Sequence, residues 1–177
     1  MPASASTLLK RLTVFTSQLD KYDYFILLSI SIYAIIFSYF TWLKHYTFSS
    51  YAADLGIFNQ AFYTTVFHGK LFYYTVENYV NISGTYFAIH FSPILFTLVP
   101  FYIINPKPET LLILQSWILA LGALPLYLIV KETVKDKKVA LLAGLAYLLY
   151  PALQGANWFD FHPQAFYPLL IFSSYYF

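Results

Sequence analysis

The sequence predicts an all-α polytopic membrane protein, and three observations carry that prediction. Of its 177 residues, 59% are hydrophobic and only 10% are charged, against about 25% charged in ordinary soluble domains. Mean hydropathy is +0.60. The few charges are also spaced so that they bracket long uncharged runs, of the length a helix needs to cross roughly 30 Å of hydrocarbon. A net charge of +2 is too small to point to nucleic acid. The absence of cysteine excludes disulfides, zinc–thiolate sites and thiol catalysis.

Residues 1–23 read as a cytoplasmic amphipathic segment. Leu8, Leu12, Phe15 and Leu19 recur at helical spacing beside Lys10 and Arg11, which fits a helix lying on the inner leaflet and, equally, a frayed polar tail. Residues 24–43 form the first span, 20 residues without a charge. That is longer than a secretory core of about 7–15 residues and lacks the small residues of a cleavage site. Further uncharged runs are Thr110–Val130 and Val139–Phe159, of 21 residues each, and Pro163–Phe177, of 15. Another, Phe91–Pro106, has 16 residues and carries three prolines.

The distribution of lysines decides which of these cross. Lys10, Arg11 and Lys21 place the N-terminus in the cytoplasm, and the cluster KETVKDKK at 131–138 joins them there only if Phe91–Pro106 lies in the interface. The expected order is therefore an outer loop at 44–109, a second span at 110–130 and a cytoplasmic turn at 131–138. A third span at 139–155, a second outer loop at 156–162 and the start of a fourth span at 163–177 follow. Pro125 and Pro151 are expected to kink their helices. Within the large outer loop, Ser50 is expected to cap a helix over Tyr51–Phe67, closed by Gly69, with Leu55, Phe58 and Phe62 as its apolar stripe. LFYYTVENYVNISGTYFAIH leans towards β structure and predicts a small hairpin about its Ser-Gly turn. Seventeen Phe or Tyr residues between His45 and Pro106 suit a loop at headgroup level.

This topology gathers Asp54, His90, Asp160 and His162 on the outer face. Asp54 sits in the first turns of a helix, where a carboxylate gains about 0.3–1 kcal/mol from the dipole; its other reading is a general base or substrate contact. In WFDFHP, extended chain would set Asp160 and His162 on one side and the aromatics on the other. Such a pair could exchange protons, orient a ligand or, with a further ligand, bind a divalent metal; the plain alternative has Asp160 capping a helix that starts at Pro163. His90 is a mute interfacial histidine or a ligand contact, and Lys70 and Lys107 are snorkelling lysines or phosphate contacts. Asn81-Ile82-Ser83 is a glycosylation triplet on the outer side. No Walker loop, GxGxxG or HExxH occurs. The spans offer a transport pathway little beyond Gln115 and a few serines.

The segments AADLGIFNQ, HGKLFYYT, HFSPILFTLVPFY, LQSWILALGALPLYLIVKE and YPALQGANWFDFHP together resemble the uncharacterised membrane-protein family called domain of unknown function 2079, from about Tyr51 onwards, its archaeal branch most of all. That family is similar to the GT-C glycosyltransferases, membrane enzymes that take a sugar from a polyprenyl-phosphate carrier at the outer face. The resemblance implies a GT-C-like N-terminal half, multi-pass in the cell membrane, with its site on the extracellular side. It implies Asp54 as the outer-loop acid that deprotonates or orients an acceptor hydroxyl, with inversion at the anomeric carbon. Asp160 and His162 line the same cleft as further catalytic candidates.

HFSPI resembles the His-Pro-Pro element of protein mannosyltransferases, which makes His90 a substrate contact together with Lys107, Lys70, Asn59 and Gln60. Lys107 is the best placed of these for the phosphate. Asn59 and Gln164 stand where some members of the family carry carboxylates. The implied partners are membrane lipids and a lipid-linked sugar with an unspecified acceptor, not nucleic acid. No resident cofactor is implied, though a divalent metal is compatible. Because GT-C folds have several more helices, the resemblance implies an N-terminal half that is inactive alone. A non-catalytic membrane protein binding lipid or glycan, and a transporter fragment, are the alternatives.

Overall fold

The computed structural model describes residues 19–177; the inner-leaflet helix expected from Leu8, Leu12 and Phe15 lies outside them. The first helix, α1 (Lys21–Tyr46), opens on a reciprocal cap. The Asp20 carboxylate accepts from the backbone N–H groups of Tyr22 and Asp23, and Asp23 accepts in turn from the Asp20 N–H. Four otherwise unpartnered donors begin every helix, and this arrangement satisfies several of them at once. At 26 residues, α1 is about 39 Å long. Its outward side chains, among them Phe25, Leu28, Ile32, Ile35 and Tyr39, are large, apolar and exposed, as a lipid-facing surface requires.

After a short connection comes α2 (Ala52–His68), then 3₁₀ turns at Tyr86–Ala88 and Pro93–Leu98, the latter leading into α3 (Val99–Ile104). The next span is α4 (Pro108–Leu121) continued by α5 (Ala123–Thr133). The small break at Gly122 lies one turn before Pro125, which has no N–H to give the Leu121 carbonyl. The Tyr147 hydroxyl donates to the Leu119 carbonyl beside this break, at 2.9 Å. A Cβ at 122 would stand 2.4 Å from the Tyr147 hydroxyl oxygen, so any larger residue must displace that hydroxyl.

Two helices, α6 (Lys137–Leu148) and α7 (Pro151–Trp158), follow. They bend by 41° where Pro151 begins the second, and as a bent pair they make a third candidate span. A 3₁₀ turn at Pro163–Phe166 then leads into α8 (Tyr167–Tyr176). Among the described residues, two continuous stretches, Lys21–Tyr46 and Pro108–Thr133, are long and apolar enough to cross a membrane, or three with the bent pair. Pro93–Ile104 is apolar but too short, at roughly 18 Å of helix.

Two cores stack along the molecule. Ile26, Ile30, Tyr33, Ala34, Ala120, Ala123, Tyr127 and Ala140 bring α1, α4, α5 and α6 together, small residues letting the helices approach closely. Above them, Leu55, Phe58, Phe62, Phe72, Tyr102, Leu111 and Phe161 build a second, aromatic core that joins α2 and its following turns to the start of α4. Residues 44–109 are thus a packed cap. Its stripe of Leu55, Phe58 and Phe62 is buried as the helical spacing predicts.

Ion pairs mark both ends. Asp23 pairs with Lys131 and accepts from the Tyr127 hydroxyl, and Asp20 pairs with Lys137. The turn at 131–138 therefore lies at the same end of the bundle as the start of α1. Lys44 meets Asp160 at the opposite end.

Two local expectations are corrected. Ser50 does not cap α2: its hydroxyl bonds His45 Nδ1 at 2.7 Å, and Tyr51 occupies the cap position without a side-chain bond. Gly69 closes the helix in the left-handed conformation expected of it. The hairpin is reduced to one antiparallel bridge, Tyr73 with Thr85, and no strand occurs among the described residues. The physical reason lies in competing local bonds. Asn81 Nδ2 donates to the Thr85 carbonyl, Ser83 Oγ to Asn81 Oδ1, and the Val80 and Asn81 N–H groups to the Glu77 carbonyl. These turns take the groups that a ladder would need.

Candidate functional site

Asp54 and His162 come together. Asp54 is in the first turn of α2, and His162 precedes the Pro163 turn. His162 Nε2 stands 3.9 Å from Asp54 Oδ1, with the side chains 34% and 41% exposed. That is too long for a hydrogen bond and short enough for an ion pair when the imidazole is protonated. His162 Nδ1 lies 2.9 Å from the Asp160 carbonyl. A neutral imidazole that donates Nδ1–H there carries its lone pair on Nε2, the atom facing Asp54. One hydroxyl oxygen can sit about 2.8 Å from both groups, so the pair suits orientation or deprotonation of an alcohol.

The neighbouring Asp160 plays another part in the geometry. It is 1% exposed and pairs with Lys44 Nζ at 3.2 Å, while its second oxygen accepts the Tyr51 N–H. Asp160 therefore ties the end of α1 and the first residue before α2 to the WFDFHP segment. Lys44 also donates to the Trp158 carbonyl and lies over the rings of Tyr51, Trp158 and Phe159, so its charge is met by one carboxylate and three aromatic faces. The aromatics of WFDFHP do not share one side: Phe161 is buried against Phe58 and Phe62, whereas Phe159 packs on the His162 ring. Nor does Asp160 cap the Pro163 turn, whose cap position is His162.

Gln115, fully buried in α4, is the second organiser of this segment. Its side-chain carbonyl accepts the His162 N–H at 2.7 Å, and its amide donates to the carbonyls of Ala156 and Asp160. Beside it, Ser116 donates to Asn157 Oδ1, and Asn157 donates to the Tyr33 hydroxyl. Buried polar groups satisfied in this way fix a single arrangement. Sequence reasoning assigned no role to Lys44 and left Gln115 as a polar remnant in a span. The signal for the latter was present: a lone amide in an uncharged run of 21 residues must find partners.

The other candidates are dispersed. Asn59 accepts from the Tyr102 hydroxyl at 2.6 Å, and Gln60 accepts from the backbone and hydroxyl of Thr75; both brace the cap. Lys70 is exposed and lies over the Tyr73 ring, and Lys107 is exposed at the start of α4. His90 faces a separate cavity that it shares with Gln164 and Tyr167. Asn81 of the glycosylation triplet is buried. Among the described residues no cluster of three or more His, Cys, Asp or Glu side chains is assembled to hold a metal. Asp54 and His162 supply two ligands, short of a complete site.

His162 also lines a cavity of about 800 Å³ walled by Leu119, Tyr147, Leu153, Phe159, Ile171 and Phe172. His162 thus links an apolar hollow between α4, α6, α7 and α8 to Asp54, which lies outside its lining.

Comparison with known proteins gives one family. Residues 44–177 match the predicted membrane protein family DUF2079, so the chain belongs to it. No curated protein and no solved structure matches the chain.

Proposed function

We propose that the protein is a GT-C-like glycosyltransferase module, with its N-terminus cytoplasmic and its site at the outer membrane face, that uses a polyprenyl-phosphate-linked sugar. One observation carries this reading: His162, which lines the 800 Å³ apolar cavity, stands 3.9 Å from Asp54. A proton-handling pair next to an apolar hollow matches a substrate with a reactive polar head and a long hydrocarbon tail. The tail lies in the hollow and the anomeric carbon beside the pair. Asp54 accepts the proton of an acceptor hydroxyl, with His162 Nε2 orienting that oxygen. The oxygen bonds to the anomeric carbon opposite the phosphate, and the carbon–oxygen bond to phosphate breaks. Its electron pair leaves on the polyprenyl phosphate and the configuration inverts. Lys70 and Lys107 are left to meet the phosphate from the solvent side, since neither lines the cavity.

The test is Asp54→Asn in the chromosomal gene. Loss of a general base lowers the rate by roughly 10²–10⁴, so the glycolipid or glycan product detected by mass spectrometry disappears while the protein remains folded in the membrane. An unchanged product profile overturns the catalytic role. It would leave the second reading, a non-catalytic lipid or glycan binder, which is favoured by the absence of a hydrogen bond between Asp54 and His162.

A further inference from the structure

The cavity that contains His90 lies where the cap meets the segment after His162. It measures about 410 Å³ and lies between the 86–94 segment and the Pro163–Leu170 segment. Two properties set it apart from the apolar hollow beside His162. First, its wall carries hydrogen-bonding groups with no hydrogen-bond partner among the described residues: the His90 ring, the Ser92 hydroxyl, the Gln164 amide and the Tyr167 hydroxyl. Ser92 precedes a 3₁₀ turn but makes no cap bond with its side chain. Second, no Asp, Glu, Lys or Arg lines it. A wall that combines solvent-facing donors and acceptors, His90, Gln164 and Tyr167 being exposed, with the rings of Phe91 and Tyr86 fits a ligand with hydroxyls at its rim and C–H groups on its faces.

We propose that this cavity binds an uncharged, hydroxyl-rich ring, a hexose or cyclic polyol, stacked on Phe91 and hydrogen-bonded by His90, Ser92, Gln164 and Tyr167. The absence of a lining cation disfavours phosphates and carboxylates, and the absence of a lining anion disfavours amines. Tyr86 lines the cavity as a neutral phenol, its pKa pushed up by burial to about 12. Gln164 and Tyr167 line both this cavity and the apolar one, and His162 is two residues before Gln164. A ring bound here therefore lies across a wall shared with the apolar hollow that His162 lines. That position makes it the sugar acceptor, and the acceptor role rests on the glycosyl-transfer reading; binding of the ring does not.

Saturation-transfer difference NMR on the full chain in lipid nanodiscs tests the site. The probes are a panel of methyl hexosides and inositol, glucose 6-phosphate as the charged counterpart, and nanodiscs carrying a glycosyl-diacylglycerol. Saturation is expected to pass to the ring C–H protons of at least one uncharged probe, at least fivefold more than to glucose 6-phosphate. It is expected to fall at least fivefold in Phe91→Ala and in Ser92→Ala, two side chains that make no hydrogen bond in the fold. Transfer to the free hexoside assigns a soluble sugar, and transfer to the glycolipid headgroup alone assigns a lipid-borne one. Absence of transfer to every uncharged probe, equal transfer to the phosphate, or signals unchanged in both variants overturns the proposal. If sugars bind while Asp54→Asn leaves products intact, the binding site stands and the catalytic reading fails. If Asp54→Asn abolishes the product and no ring binds, the reverse holds.

Discussion

Neutralising Lys44 by Lys44→Met is expected to destabilise the protein out of proportion to a single lysine at a helix end. The Lys44 and Asp160 side chains are only 8% and 1% exposed, so removing one partner leaves the other charge buried. Breaking a buried pair costs about 3–5 kcal/mol, most of it the uncompensated charge. With about 2–4 °C of midpoint per kcal/mol for a chain of this size, the transition should fall by roughly 6–20 °C. Asp160→Asn should cost less, because the ammonium it strands keeps the Trp158 carbonyl and three aromatic faces. The amide oxygen can also still accept the Tyr51 N–H.

The decisive comparison is with the double variant, Lys44→Met with Asp160→Asn, which removes both charges. It should lose less than the sum of the singles, with a coupling of about 1–3 kcal/mol. Tryptophan fluorescence during denaturation reports the transition directly, since Trp158 adjoins Lys44. Additive losses in the double variant would refute the reasoning, because they would show that the two charges do not depend on each other. The single variants should also reduce any activity of the Asp54–His162 pair, since Asp160 holds Tyr51 three residues before Asp54.

Three further outcomes follow from local geometry. Asn81→Ala should cost about 1–3 kcal/mol for the buried partners it orphans, among them the Thr85 carbonyl. The wild-type chain expressed in a glycosylating host should show no endoglycosidase-sensitive mass shift, because the acceptor nitrogen is buried in that bond. Gly122→Ala should destabilise by roughly 1–3 kcal/mol, from overpacking against the Tyr147 hydroxyl, and Tyr147→Phe should recover part of that loss in thermal melts. The Lys137 side chain, then the backbone N–H groups of Asp23 and Tyr22, lower the Asp20 pKa to about 2. A carboxyl depressed on folding contributes fully above its ordinary pKa near 4 and loses that contribution as pH falls towards 2. Asp20→Asn should flatten the pH dependence of the melting midpoint within that window and lower stability at pH 7 by at most about 1 kcal/mol, as befits a solvent-screened pair.

Much of the fold was legible because it follows from spacing along one helix. Run length marked the spans, the missing N–H of Pro125 and Pro151 marked the break and the bend, and Gly69 marked the end of α2. The stripe of Leu55, Phe58 and Phe62 needed only the helical period. Expectations failed where a residue had a choice of partners. Ser50 can cap a helix or bond its neighbour, and it bonds His45. The 71–90 segment has strand-like composition, but its Asn, Ser and Thr side chains offered turns that won over pairing.

The candidate site divides along the same line. Composition and the spacing of charges determined that this chain carries long apolar helices of the kind that cross a membrane, and that Asp54, Asp160 and His162 were candidates for chemistry. Only the tertiary structure decided that Asp54 meets His162, that Asp160 turns instead to Lys44, and that Gln115 holds the segment joining them. Residues 44 and 160 are 116 positions apart. Helical period and turn chemistry act over a few residues, so no local pattern records which charge a buried carboxylate finds. That choice is made by the packing of α1, α4 and α7, which brings two charges into one dry pocket where neither is stable alone.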